Sequence, residues 1–137
     1  MFFFKDADVE KPANDIRHIS LSSNQSVVVS SPGNPHNYPN NLHITWLIQV
    51  AAGNSAILKF TAFDLEAGYD DLKIGFGNNS RLAESRLITL SGETIPAEIN
   101  TRHQSAWIEF VTDSAIGDEG FVLQIRVKGK RKPPKLL

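Results

Sequence analysis

The chain contains no cysteine, which removes disulfides, thiolate nucleophiles and cysteine-bearing zinc sites together. That absence does not fix a compartment, because 137 residues are enough to bury a core without covalent staples. An excess of charge is missing too: 14 Lys and Arg stand against 15 Asp and Glu, a formal charge of -1. No global field recruits nucleic acid or an anionic membrane, so electrostatic recognition has to be local. Long apolar runs are also lacking. The opening MFFFKDADVE turns charged after three phenylalanines, well short of a signal-peptide core, so export would rest on a segment outside it. No window approaches the length of a membrane span. Nowhere do apolar residues recur at helical spacing over three turns.

What the sequence does have is short β-prone runs broken by turn residues at fairly regular intervals. SVVVSS (26–31) stops at SPGNPHNYPNN, where three prolines and a glycine forbid regular ladder pairing. In ITWLIQV (44–50), Ile44, Trp46, Ile48 and Val50 share one face. SAILKFTAF alternates Ala56, Leu58 and Phe60 against Ile57, Lys59 and Thr61. DLKIGF (71–76) reads as a strand and ESRLITLSGE as an irregular segment. SAWIEFV (105–111) sets Ala106, Ile108 and Phe110 against Trp107, Glu109 and Val111, and GFVLQIRV (120–127) points Phe121, Leu123, Ile125 and Val127 inward. Seven to nine such strands imply an all-β, antiparallel β-sandwich. Residues 1–17 read as a leader or linker, 18–128 as one domain, and 129–137 as a basic, proline-bearing tail that a core does not accept.

Within this pattern AFDLEAGYDDLKI packs Asp64, Glu66, Asp70 and Asp71 between two strands, and a further acid, Asp113, follows the strand SAWIEFV. Carboxylates held together repel unless water or a cation offsets them. Calcium takes six to eight oxygens in irregular geometry and suits such a set; magnesium demands a stricter octahedron, and zinc prefers nitrogen or sulfur. The plain alternative is a solvated hairpin tip at Gly68, since Asp and Gly belong in turns for backbone reasons.

In order along the chain, SPGNPHNYPNN, TWLI, LKFTAFDLE, YDDLKI, LSGETIP, AWIEFVTD and EGFVLQI resemble the CUB domain family over about residues 18–127. The resemblance implies a jelly-roll-like CUB sandwich used outside the cell for binding partners, not for catalysis. For the calcium-binding members it implies metal ligands at Glu66, Asp70 and Asp113, help from Ser114 and its neighbours, and Tyr38 as a buttress to the acids. It further implies a protein partner whose lysine or arginine is captured at this acidic end by charge-assisted hydrogen bonds. Glu66, Asp70, Asp113 and Tyr38 are then the partner-binding residues, with Trp107 a candidate anchor. The chain departs from the family at its cysteines: Ile44 and Ser91 stand at two family cysteine positions, and a third falls near His18. The fourth lies in a loop shortened to Ala67, Gly68 and Tyr69.

Other chemistries find less support. His18, His36, His43 and His103 form no HExxH or HxH pair. No nucleophile elbow surrounds Ser114. Glu66 and Asp113 as a glycosidase pair would need a deep cleft. An exposed Trp107 stacking on a sugar gives the alternative function, a carbohydrate-binding or adhesion module. Asn24-Gln25-Ser26 and Asn78-Asn79-Ser80 satisfy the glycosylation sequon.

Overall fold

The computed structural model describes residues 13–113 and 118–129. Among these residues nine strands run in the order β1 (Asp15–Leu21), β2 (Ser26–Ser30), β3 (His43–Val50), β4 (Ser55–Asp64), β5 (Asp71–Phe76), β6 (Arg86–Leu90), β7 (Ile99–Asn100), β8 (Ser105–Val111) and β9 (Gly120–Lys128). They form a five-stranded sheet, β1-β3-β8-β5-β6, and a four-stranded sheet, β2-β9-β4-β7. Among the described residues the helical content is a single 3-10 turn at Ala83–Ser85.

Alternation places the core between the two sheets. Ile44, Trp46, Ile48 and Val50 of β3, Ala106, Ile108 and Phe110 of β8, and Leu72 and Ile74 of β5 face Leu58, Phe60, Leu123 and Ile125 across the sandwich. Phe121 lies at the centre, edge-on to Trp46, Phe60 and Phe110 at ring separations of 5.9, 6.3 and 5.1 Å. Each such large side chain contributes about 1.5–3 kcal/mol on burial.

Three features differ from the reading of the sequence. First, β1 begins at Asp15, inside the segment expected to be a leader, and pairs parallel with β3 from Asp15↔Ile44 to Leu21↔Val50. It is an edge strand whose residues 15–18 are all exposed, so its polar sequence resembles a linker. Asn14 reinforces it by accepting a hydrogen bond from the Thr45 hydroxyl at 2.8 Å. Residues 1–12 and the tail from 130 onward lie outside the described residues. Second, part of the segment read as irregular is the edge strand β6, paired with β5 from Leu72↔Leu90.

Third, Trp107 is not a surface residue. It is 1% exposed, on the outer face of the five-stranded sheet, and its indole N–H donates to Ser85 Oγ at 3.1 Å. The neighbouring strand carries Gly75 opposite it, and a Cβ there would overlap the indole and stand 2.5 Å from Ser85 O. A glycine and a 3-10 turn together bury the ring, which removes it as a partner-binding or sugar-stacking anchor.

A β-bulge lies near the end of β4. The register with β9 shifts between Phe60↔Leu123 and Ala62↔Val122, leaving Thr61 as the extra residue. Phe60, Phe63 and Leu65 are therefore all buried, and the segment that follows is delivered to one end of the sandwich.

Candidate metal centre

Leu65 is anchored in the core, and immediately after it the chain closes a tight turn. The amides of Tyr69 and Asp70 both donate to Glu66 O, at 3.2 and 3.0 Å. Gly68 supplies the left-handed conformation the turn needs, with φ +81. A residue and the one four places on lie on the same side of such a turn, so the three-residue spacer brings Glu66 and Asp70 together.

The third acid arrives from the far side of the sequence. Asp113 follows β8, which pairs with β5 from Asp71↔Val111, so the sheet itself sets the end of β8 beside Asp70. The Asp113 amide donates to Asp70 Oδ1 at 2.8 Å. Asp70 Oδ2 accepts the Tyr38 hydroxyl at 2.5 Å, and that hydroxyl in turn accepts the Glu66 amide at 3.0 Å. The loop after β2 is tied across the site by Tyr38 N to Asp118 O at 3.1 Å and Asn41 N to Asp113 O at 2.7 Å.

One carboxylate oxygen from each of Glu66, Asp70 and Asp113 lies within 4.8 Å of the others. Oxygens bound to one calcium at 2.3–2.6 Å stand at most about 5 Å apart, so the set fits that ion without rearranging the backbone. Glu66 Oε1 is buried with no hydrogen-bond partner, the kind of orphaned acceptor a cation would satisfy. Burial first, then the charges of Asp113, Asp70 and Asp118, hold the Glu66 carboxyl above its ordinary range. Asp118 is raised as well, by burial and then by Asp64, Asp70, Glu93 and Glu119. The Tyr38 hydroxyl is also held well above its usual value, by burial and then by its bond to Asp70, so it stays a neutral donor.

The structure thus brings Glu66, Asp70, Asp113 and Tyr38 together, while Ser114 lies outside the described residues. Three of the expected partner-binding residues are buried, Tyr38 and Asp70 here and Trp107 on the outer sheet face, and only Glu66 and Asp113 keep partial exposure. Asp71 turns away to Lys73, 3.3 Å distant. Three further residues belong to the site. Asp118, flagged in the sequence only by the run GDEG, adds charge. Tyr69 stands 70% exposed at the tip of the turn. Ser91, noted only as a lost cysteine position, donates to Asp70 O at 2.6 Å.

The comparisons with known proteins agree with this architecture. The chain is 34% identical over 108 residues to the dorsal-ventral patterning protein tolloid of Drosophila melanogaster, covering 75% of this chain and 10% of that protein. Rat cubilin matches at 32% over 94 residues, 69% of this chain and 3% of cubilin. The chain therefore spans a small part of either relative. Among solved structures, the MASP-1 CUB2 domain bound to Ca2+ superposes with a TM-score of 0.65 at 26% identity, covering 78% of this chain and 96% of that domain. The family model for the CUB domain matches residues 19–125, nearly the whole two-sheet sandwich, and by that match the chain belongs to the CUB domain family.

Proposed function

We propose that this chain is a non-catalytic binding module that acts outside the cell. Calcium stabilises it, and its acidic end takes a lysine or arginine of a protein partner. Domains of this family serve as extracellular protein-interaction modules, which supports the class of function. The single observation that carries the finer reading is the convergence of Glu66, Asp70 and Asp113 oxygens from two distant segments within 4.8 Å. The calcium seen in the MASP-1 CUB2 domain supports it by likeness.

Glu66, Asp70 and Asp113 would hold the ion. Bound there, calcium supplies the positive charge that offsets their mutual repulsion. Tyr38 fixes Asp70 and the Glu66 backbone together from below. Glu66 and Asp113 keep an edge toward solvent, where a partner's ammonium or guanidinium group finds charge-assisted acceptors already in place. The exposed Tyr69 ring beside them offers a surface for the alkyl stem of that side chain.

Titration calorimetry tests the metal: one calcium per chain is expected, with Kd of about 0.1–1 mM, as in extracellular sites. Absence of binding up to about 10 mM, together with an Asp113→Ala variant whose melting temperature in calcium equals that of the parent, overturns the reading. The carbohydrate alternative loses Trp107 to burial. Glycan binding that survives a chelator and disappears in Tyr69→Ala would restore it.

A further inference from the structure

We propose that Ser91 is a positioning residue that holds the Glu66–Asp70 turn in the shape a cation requires; this rests on the calcium reading above. The turn has little packing of its own. Ala67, Gly68 and Tyr69 are all exposed, and nothing lies within 4 Å of where a Gly68 Cβ would stand.

Besides Tyr38 at its two ends, what holds it comes from the end of β6. The Ser91 hydroxyl donates to Asp70 O at 2.6 Å, with Glu66 O as a second, longer acceptor at 3.2 Å. The same oxygen accepts the Gly68 amide at 3.2 Å. One hydroxyl thus touches the first, middle and last residues of the turn. Its neighbour Gly92 accepts the Leu65 amide at 2.8 Å, so the entry to the turn is tied to the same two-residue segment. Ser91 itself is delivered rigidly, because Leu90 pairs with Leu72 in the sheet.

The two acids depend on this tie unequally. Asp70 is fixed through its own side chain by Tyr38 and the Asp113 amide. Glu66 Oε1 has no partner, and the Glu66 backbone is held at its amide by Tyr38 and at its carbonyl by Ser91, so the placement of that carboxyl depends on Ser91 more than that of Asp70 does. The resemblance to the family puts a cysteine at Ser91 and another in the loop that is shortened here. In this chain the same two places meet through a hydroxyl.

Calcium titration, amide hydrogen exchange and melting in chelator, applied to Ser91→Ala and Ser91→Thr, test the proposal. Ser91→Ala is expected to weaken calcium about three- to tenfold, the scale of a lost hydrogen bond. Exchange at the Gly68 and Asp70 amides accelerates by a similar factor, while β8 amides and the melting temperature in chelator stay near the parent. Ser91→Thr, which keeps the hydroxyl, restores both. A calcium affinity for Ser91→Ala within about twofold of the parent overturns the proposal. So does an equal loss of melting temperature with and without calcium and no turn-specific exchange. If the parent itself takes up no calcium, the metal reading fails separately. Exchange then decides alone: unchanged rates at Gly68 and Asp70 in Ser91→Ala overturn the role, and accelerated rates uphold it.

Discussion

Trp107 and Asp70 are each 1% exposed, yet their surroundings differ in kind. Around Trp107 the polar atoms are matched: the indole N–H meets Ser85 Oγ, and the Ser85 hydroxyl donates to Leu82 O at 2.7 Å. Around Asp70 the donors are matched, but negative charge is left over. Glu66 Oε1 has no partner, and the carboxyls of Glu66 and Asp118 are held above their ordinary range. Folding alone completes the first site. The second keeps a carboxylate oxygen without a partner beside like charges, a costly arrangement of the kind that the proposed cation would relieve.

Substitutions can sharpen or break this contrast. The largest effect is expected at the indole: Gly75→Ala forces a methyl group into Trp107 and should cost about 3 kcal/mol in denaturant unfolding. Calcium affinity of the folded protein should be unchanged. Asp70→Ala comes next. It strands the Tyr38 hydroxyl and the Asp113 amide, which costs about 1–3 kcal/mol in chelator. It should also abolish the calcium-induced rise in melting temperature, a rise worth about 2.7 kcal/mol for the parent at a hundredfold excess over Kd. Tyr38→Phe should be milder, about 1–2 kcal/mol in chelator with calcium binding weakened but retained, measured by the same titration.

The smallest effect is that of pH. Glu66 and Asp118 are raised above their unfolded values of 4.5 and 3.8. Their contribution to stability is therefore present below those values and lost as pH rises through the raised ones. In chelator, melting temperature should climb slightly as pH falls from neutrality toward those unfolded values, while the increment from calcium shrinks because protons compete for the same oxygens. A melting temperature that falls in chelator over that window would show that the acids are not under strain.

Much of the sandwich was legible because its strands alternate cleanly. Ile44, Trp46, Ile48 and Val50, and likewise Ala106, Ile108 and Phe110, declare an inner face by period alone. β1 was not legible: an exposed edge strand paired in parallel carries no alternation strong enough to separate it from a linker. Trp107 was ambiguous because its burial depends on Gly75 and on a 3-10 turn some twenty residues upstream. Carboxylates in turns stand out in the sequence, and among them the resemblance to the CUB family singles out Glu66, Asp70 and Asp113. The shape that joins them could not be found there, since it depends on Ser91 and on two amides sharing one carbonyl.

The extra residue in β4 has a further consequence. Phe60 and Leu65 are five positions apart, an odd number, and by simple alternation they would face opposite ways; Thr61 resets the parity so that both face in. Were Thr61 instead to take a regular place in the ladder, the strand beyond it would be turned over by half a turn. Leu65 would swing to solvent and Glu66 would leave its companions, with every acid still present in the sequence. Whether this domain can hold a cation is decided as much by counting as by chemistry.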